Sequence, residues 1–401
     1  VAFLAKYPNL PADTAAVKRP WMDYLEPPFW YSKVWTSWDA DQWRERRWDV
    51  VKVVAAADSS AADKAAAQYV CDGTADDIEI QAALDALPPA GGKVVLRQGT
   101  YLLDNCVMPK DDTDLEILGT VKVAPATTSR LTADCPLGQN WVTVEDARKF
   151  RVGQWLTLID ATKIDHKGGW QNPAGGRKYG ECSTIEKIEG NTITLRGKFG
   201  SWEEWAKGPQ RTPKDYQPGY AVAAQALVTT SHSAILVLGR DRVFIHGPGE
   251  IDGNKAQQQP PTAPLSTAYS SEEVLSGCGI AVQDSSFVTV QGLRIHDANL
   301  HNVTFHRSEN GEIADVEAWG CNDKNILLLN TLRMRVFRNH CHHSVCEDGV
   351  CLYLSSHSAM IGGNRVNANP RHGIWINPTC LQETLLPPEA LPGGQAQGAG
   401  R

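Results

Sequence analysis

Five short segments between residues 277 and 377 follow one pattern, and their spacing constrains the fold more than any other feature of the 401-residue chain. A small residue precedes a short apolar run at Gly279, Asn302, Asn325, Gly349 and Gly373, in steps of 23, 23, 24 and 24 residues. A strand–helix–strand unit needs about 30 residues or more, so these steps are too short for one. They predict the coils of a parallel β-helix, in which each coil contacts only its neighbours.

Side chains alternate between the two faces of a strand, and this alternation separates the predicted core from the predicted surface. The residues expected to point inward are Ile280, Val282, Val303, Phe305, Ile326, Leu328, Val350, Leu352, Ile374 and Ile376. Those expected to point outward are Ala281, Gln283, Thr304, His306, Leu327, Leu329, Cys351, Tyr353, Trp375 and Asn377. A second strand is predicted in each coil, with inward positions at Val290, Ile313, Val336 and Ile361 and again five residues later at Ile295, Ala318, Cys341 and Val366.

The turn before each apolar run carries ionisable residues in three successive coils. Stacked coils lie about 4.8 Å apart, so equivalent turn positions become direct neighbours. The last two turn positions bring together six residues, which we name the charged edge: Asp323, Lys324, Glu347, Asp348, Arg371 and His372. His301 occupies the same column one coil earlier, and His306, Tyr353 and Trp375 lie beside it on the predicted outer strand face. We predict that this edge is a functional site rather than a solvated surface of alternating charges.

The segment RNHCHHSVCEDG, residues 338–349, has the residue types of a zinc site, because histidine and cysteine are common ligands of that ion. The repeat separates these residues. Cys341 falls in the inward column, the histidines after it fall in a turn, and the acidic pair belongs to the charged edge. We therefore predict no metal site here, and the remaining alternative combines His340 or His342 with His343.

An amphipathic helix is predicted ahead of the repeats, within CDGTADDIEIQAALDALPPAGGKVVLRQGTYLL, residues 71–103. Thr74 and Asp77 have the spacing of a capping box, and apolar residues follow at i, i+3, i+4 and i+7 from Ile80. The PPAGG segment then ends the helix before a strand. These 33 residues resemble the opening of β-helices in the pectate-lyase-like superfamily.

The resemblance implies an all-β fold: a right-handed single-stranded parallel β-helix with an N-terminal capping α-helix. Polysaccharide lyases, glycoside hydrolases, uronate epimerases and phage tailspikes share this opening, so it implies no single reaction. The RHG turn at 371–373 looks like one in alginate epimerases, but the aspartate-proline-histidine-glutamate signature of those enzymes is absent from the sequence, as are the motifs of polygalacturonases. Several lyases of the superfamily use calcium, and Asp252 in GEIDGN could reach such an ion. No cofactor is firmly implied.

The charged edge contains the groups for two reactions on a polysaccharide. For β-elimination of a uronic acid, Lys324 or Arg371 would stabilise the enolate-like charge, and His372, His301 or a lysine would take the proton. For hydrolysis of a neutral glycan, Asp323, Glu347 and Asp348 offer the required carboxylate pair. Rings of Tyr353 and Trp375 could stack on sugars.

The rest of the chain divides by composition into further predicted regions. Residues 1–50 hold six of the thirteen tryptophans and predict an arm that packs on the body or on a neighbouring subunit. Residues 51–125 contain the capping helix and first coils, and residues 126–232, with their Gly-Asn turn, predict a small antiparallel β insert. Residues 233–380 hold the coils with the charged edge, and 381–401 form a Pro/Gly-rich tail.

Charge and hydropathy exclude several partners. The net charge of −7 argues against a general nucleic-acid or anionic-membrane binder, and no apolar run approaches the roughly 18 residues of a membrane span. The ten dispersed cysteines are typical of buried thiols or a few disulfides. VAFLAKYPNL has neither an initiator methionine nor a signal-peptide pattern, so any leader is expected to precede it.

We therefore expect an enzyme that depolymerises an extracellular, uronic-acid-containing polysaccharide, with a lyase favoured over a hydrolase. One alternative is a phage tailspike or adhesin that binds glycan, forms a homotrimer, or attaches to a larger assembly through the N-terminal arm. The other is a C5-epimerase, which inverts the sugar without cutting the chain. The protein is expected to be extracellular or virion-associated.

Overall fold

The computed structural model describes residues 47–136, 139–163, 178–196, 219–259, 262–263, 276–353, 356–377, 380 and 384–386. Most of the predicted N-terminal arm and of the predicted tail lies outside these residues. Trp48 is the one arm tryptophan among them, and its indole Nε1 donates to Asp114 Oδ2 at 2.9 Å.

Parallel strands form three long sheets that run along the coils and enclose one apolar core. Strands are numbered in chain order. The front sheet contains β15 (Ile235–Leu238), β19 (Ile280–Gln283), β22 (Val303–His306), β25 (Ile326–Leu329), β28 (Val350–Tyr353) and β31 (Ile374–Ile376). The side sheet contains β4 (Thr100–Leu103), β6 (Thr120–Val123), β17 (Glu250–Asp252), β21 (Arg294–His296), β24 (Glu317–Trp319), β27 (His340–His342) and β30 (Arg365–Asn367).

The back sheet closes the third side of the coils and continues into the N-terminal strands. In spatial order it contains β2 (Tyr69–Val70), β1 (Val51–Ala55), β3 (Gly92–Leu96), β5 (Thr113–Ile117), β16 (Asp241–His246), β20 (Ser286–Gln291), β23 (Glu312–Ala314), β26 (Arg335–Phe337), β29 (Met360–Gly362) and β32 (Thr384–Leu386). All its pairings are parallel.

The register predicted for the front sheet is confirmed. Ile280 pairs with Val303, Val303 with Ile326, and the same column continues through β28 and β31. The predicted inward residues from β19 to β28 are fully buried. Ile374 and Ile376 are half-buried, because β31 is the last strand of the front sheet in the described part of the chain.

Each coil has three strands, so the prediction of a single second strand was wrong. Val290 lies in the back sheet and Ile295 in the side sheet, although both point into the core as predicted. Gly292 separates the two strands with φ of +72°, a conformation that costs glycine little and lets the chain turn sharply. Alternation alone does not reveal such a corner.

The predicted capping helix is confirmed as α2 (Asp77–Asp85), whose Ile80, Ala83 and Leu84 are buried in the same core. Its N-cap is Asp76 and not Thr74. Thr74 Oγ1 instead donates to Asp72 Oδ1 at 2.7 Å.

A shorter helix, α1 (Ala61–Ala66), was not predicted. It has no buried residue and so leaves no apolar period in the sequence, and Ser60 caps it by accepting from Asp63 N. Neither described helix is long and apolar enough to span a bilayer.

The predicted insert is an antiparallel sheet with its own core. It contains β7 (Thr128–Arg130), β9 (Trp141–Thr143), β10 (Trp155–Lys163), β11 (Lys178–Glu189), β12 (Thr192–Leu195) and β14 (Leu227–Thr230), while β18 (Thr262–Ala263) joins β11 in parallel. β8 (Cys135–Pro136) pairs with β13 (Gly219–Tyr220). Short 3-10 helices within the described ranges are Ala147–Lys149, Val222–Ala224 and Lys255–Gln257. The turn at Gly190 and Asn191 joins β11 to β12 as predicted.

A ladder of asparagines, of which Asn302 and Asn325 are buried and Asn369 is half-buried, holds the turns beside the front sheet. Asn302 Nδ2 donates to Asn325 Oδ1 at 2.8 Å, and Asn325 Nδ2 donates to Asn369 Oδ1 at 3.1 Å and to the His342 carbonyl at 3.2 Å. Asn325 is fully buried. These amides fix the turns from which the charged edge projects.

We expect Asn325→Leu to destabilise the fold, because Asn302 and Asn369 would each lose a buried partner. A buried polar group without a hydrogen bond costs about 1–3 kcal/mol. The matched control is Asn322→Ala, which removes the bond of a half-buried amide to Asn299 and should cost about 1 kcal/mol or less. Urea unfolding of both variants measures the difference, and equal losses would contradict the ladder's role.

Candidate active site

The turn between the side sheet and the front sheet places the charged edge. Asn302 N donates to the Lys324 carbonyl, Asn325 N to the Asp348 carbonyl, and Gly349 N to the His372 carbonyl. Each turn is therefore hydrogen-bonded to the equivalent turn of the next coil. The structure brings the six residues of the charged edge together, in the columns predicted from the repeat.

Ion pairs connect four residues of the charged edge from coil to coil. Arg371 Nη1 lies 2.6 Å from Glu347 Oε2, and Lys324 Nζ lies 3.9 Å from the same oxygen. Lys324 Nζ also donates to Asp323 Oδ1 at 2.8 Å. His301 Nδ1 accepts from Lys324 N at 3.3 Å and lies 3.7 Å from Asp323 Oδ2, so the predicted histidine one coil earlier lies beside these ion pairs.

Asp348 and His372 form a separate pair. Asp348 Oδ1 accepts from the backbone N of His372 at 3.1 Å and lies 2.8 Å from His372 Nδ1. The Asp348 side chain is fully buried, and its Oδ2 has no hydrogen-bond partner among the residues that the structure describes. The carboxylate therefore fixes the ring through Nδ1, which leaves Nε2 as the ring nitrogen available to a ligand.

Exposure divides the charged edge into two groups. The side chains of Asp323, Lys324, Glu347 and Asp348 are 0–7% exposed, whereas those of Arg371 and His372 are 48% and 47% exposed. The expectation that all six groups meet a substrate is therefore revised. The hydrogen-bonded stack buries each carboxylate beneath the turn that follows it.

Burial also changes the protonation of Glu347. Loss of solvation raises the pKa of this carboxyl above its usual range, and the charges of Lys324 and Arg371 oppose the rise. Glu347 thus has a stronger preference for its neutral form than a solvated glutamate.

The predicted sugar-binding side chains differ in their access to solvent. His306 is 2% exposed, with Nδ1 3.4 Å from Gln283 Oε1, so the prediction of a surface histidine was wrong. The outer face of the front sheet is largely apolar, and its Leu327 and Leu329 are buried. Large apolar faces are seldom left exposed in a folded protein, so an outward direction on this sheet does not mean contact with solvent. Half-buried rings of Tyr353 and Trp375 lie 5.4 Å apart at an angle of 35°.

A second ionisable cluster, missed in the sequence, lies on the outer face of the side sheet. Glu317 Oε1 is 3.5 Å from His340 Nδ1 and 3.4 Å from His342 Nε2. Cys341 between them points into the core as predicted, whereas His342 belongs to β27 and not to the following turn. Glu317 precedes His340 by one 23-residue coil, so the repeat contained the signal.

Asp252, the residue predicted to reach a calcium ion, already contacts a cationic side chain. Lys122 Nζ lies 2.6 Å from Asp252 Oδ2, and Asn254 N donates to Oδ1 at 2.8 Å.

Buried cysteines are confirmed at Cys321, Cys341 and Cys351, where burial raises the thiol pKa above its usual range.

Comparison with known families identifies the class of fold. The family model for a right-handed β-helix region matches residues 232–385. Together with the parallel coils described above, the match shows that this part of the chain is a right-handed parallel β-helix. No curated protein matches the chain.

Solved structures of two kinds are similar in fold. The gp49 tailspike of Pseudomonas phage LKA1 has 10% identity and a TM-score of 0.35, over 77% of this chain and 48% of that one. Gene product 12 of bacteriophage phi29 has 12% identity and a TM-score of 0.41, over 75% and 28%. An exopolygalacturonase from Thermotoga maritima has 13% identity and a TM-score of 0.37, over 77% and 61%. This chain thus spans half or less of the two phage proteins.

We expect His306 to make the protein less stable in acid. Burial lowers the pKa of His306 well below its ordinary value near 6.5, so the folded state keeps it neutral while the unfolded chain takes up a proton. Its contribution is complete above about pH 6.5 and is lost as the pH falls toward the folded-state pKa. Between about pH 7.5 and 5.5, the wild type should lose about 1 kcal/mol more than His306→Gln in urea unfolding.

His296→Gln is a control that should change the pH dependence of stability in the opposite direction. Burial works against the charged form of His296, but hydrogen bonds to Asp297 and Glu250 outweigh it and raise the pKa. Its stabilisation is present at low pH and is lost as the pH rises, so this substitution should increase the loss in acid. A pH dependence that is the same in wild type and His306→Gln would contradict the prediction.

Proposed function

We propose that this β-helix cleaves a uronic-acid-containing polysaccharide by β-elimination at the charged edge. One observation carries the proposal: the two residues of the edge that reach solvent are a histidine and an arginine, each held by a buried carboxylate. His372 is fixed by Asp348, and Arg371 by Glu347. A positioned base beside a positioned cation is what removal of a proton next to a carboxylate requires.

Hydrolysis fits the same geometry less well. Glycoside hydrolysis generally uses two carboxyl groups that flank the scissile bond, one as acid and one as base or nucleophile. Here Asp323 and Glu347 are buried and contact cationic side chains, and Asp348 is fully buried against His372. The carboxyl groups thus hold other residues, and the exposed surface is left to the imidazole and the guanidinium.

The proposed reaction assigns one task to each exposed group. Arg371 binds the uronate carboxylate and stabilises the negative charge that develops on it. His372 Nε2 takes the C5 proton, the electron pair forms the C4–C5 double bond, and the C4–O bond breaks. The departing oxygen takes a proton from solvent. The product is an unsaturated uronate at the new chain end.

The buried residues act as positioning residues in this proposal. Asp348 holds the imidazole through Nδ1 and favours the imidazolium that forms when Nε2 accepts the proton. Glu347 holds Arg371, while Lys324 lies between Glu347 and Asp323 and balances their charge. Trp375 follows His372 by three residues and is half-buried, which suits it to stack on a neighbouring sugar.

The proposed partner is an anionic polysaccharide, met by a local cationic group on a chain of net charge −7. Because such polymers coat cells, we propose an extracellular or virion-associated location. Assembly as a homotrimer, or attachment through residues 1–50, remains part of this proposal.

We expect His372→Ala to lower the cleavage rate by about 10²–10⁴-fold, because a positioned general base is lost. Arg371→Ala should lower it by about 10²–10³-fold, because the developing charge loses its donor. Asp348→Asn should lower kcat with little change in KM, because a fully buried side chain cannot touch the substrate. The measurement is ultraviolet absorbance of unsaturated ends on a panel of uronate polymers.

Arg338→Ala is the matched control, since Arg338 forms an exposed two-pronged ion pair with Asp315 at another corner of the coils. It should leave the rate unchanged. Reducing ends without ultraviolet absorbance would indicate a hydrolase, inversion at C5 without cleavage an epimerase, and binding without product an adhesin. Each of these results, or full activity in both His372→Ala and Arg371→Ala, would overturn the proposal.

A further inference from the structure

We propose that Glu317, His340 and His342 form a binding site for a divalent transition-metal ion such as Zn²⁺. The three side chains come from two adjacent strands of the side sheet, β24 and β27, and lie on its outer face. Their ligand atoms all lie within 4.8 Å of one another. Neither the charged edge nor the proposed lyase reaction uses them.

The spacing of the ligand atoms fits a tetrahedral ion. Bonds of about 2.0–2.1 Å at the tetrahedral angle separate two ligand atoms by about 3.3–3.4 Å. Glu317 Oε1 lies 3.4 Å from His342 Nε2 and 3.5 Å from His340 Nδ1. Two edges of the tetrahedron are therefore nearly formed before any ion binds, and little ordering of side chains remains.

The outer hydrogen bonds allow both imidazoles to present a lone pair to an ion beside Glu317, and such an ion would replace the 3.4 Å hydrogen bond between His342 Nε2 and Glu317 Oε1. His340 Nε2 lies 2.9 Å from Asn367 Oδ1, which accepts only, so Nε2 carries a proton and Nδ1 is the ring nitrogen that can bind an ion beside the carboxylate. His342 Nδ1 lies 2.7 Å from His343 Nδ1, which can accept its proton and leave Nε2 as the ligand atom. Metal-binding histidines typically donate their second N–H in this way.

Ring contacts restrain the second histidine further. Trp319 stacks on His342 at 5.7 Å between centroids, with the planes 1° apart, and on His296 at 4.4 Å. The side chains of Glu317, His340 and His342 are 43%, 29% and 15% exposed, so an ion can enter from solvent and keep water as a fourth ligand.

A neighbouring cluster on the side sheet has similar ligand residues, but lysine side chains already contact its carboxylates. Asp252, His296 and Asp297 also lie close together, but Lys122 contacts Asp252 and Lys255 contacts Asp297 at 3.3 Å. The ammonium groups occupy the place of a cation and would repel a second one. No lysine or arginine ion pair of Glu317 is found among the described residues.

The ligand set also selects the kind of ion. Imidazole nitrogen suits zinc, copper, iron and nickel, whereas calcium and magnesium prefer oxygen ligands alone. A bound ion would join β24 to β27 and so stabilise two successive coils. We therefore expect Zn²⁺ to bind and to raise the melting temperature, and Ca²⁺ and Mg²⁺ to do neither.

The test is calorimetric titration of the full chain with Zn²⁺. We expect one site, with affinity lowered by more than about 100-fold in His340→Ala and in His342→Ala. Asn367→Ala keeps all three ligands and alters an exposed side chain, so it should fold normally and bind about 10-fold more weakly. The matched control His246→Gln removes a histidine of the back sheet that contacts Asp114, and it should bind like the wild type.

Cobalt substitution gives a second reading that does not depend on folding of the variants. Co²⁺ in the wild-type site should show the weak visible bands of nitrogen and oxygen ligands and no thiolate charge-transfer band. A thiolate band, absence of Zn²⁺ binding to the wild type, or unchanged affinity in the two histidine variants and Asn367→Ala would overturn the proposal.

Discussion

The hydrogen bonds between parallel strands of successive coils are the constraint on which the rest of this structure depends. They fix the distance between coils and the register at once, so that a residue is placed beside the residues one coil before and after it in the chain. The apolar columns that begin at Ile280 and Val282 follow from this register. So do the asparagine ladder, the charged edge and the histidine cluster of the side sheet.

Register also decides how charges are arranged, because like charges in one column would repel across a single coil spacing. The protein avoids this repulsion in two ways. At an exposed corner Arg338 pairs with Asp315 one coil away, in contact with water. At the charged edge Asp323, Lys324 and Glu347 are buried, so their ion pairs must be complete or cost several kcal/mol. A sequence that keeps Asp323, Lys324 and Glu347 in such a place holds them in a fixed arrangement.

The sequence predicted the features that follow from strand register. It missed those that depend on which sheet faces are shielded from solvent and on where the chain turns between two sheets. The period placed the predicted inward residues in the core and brought the six residues of the charged edge together. It misjudged His306, because alternation tells which way a side chain points and not whether that face meets solvent. It also missed the corner at Gly292 and the contact of Glu317 with His340, although the latter lies one period away.

Solvent exposure then gives different roles to residues that the register places side by side. In both clusters the groups that can meet a ligand are anchored through a second atom: His372 through Asp348, His340 through Asn367. The anchor differs in charge, and this difference suits the two chemistries. A buried carboxylate holds His372 through Nδ1 and leaves Nε2 toward solvent, where a base can accept a proton. A neutral amide oxygen holds His340 through Nε2 without adding charge and leaves Nδ1 beside Glu317, where an ion can bind.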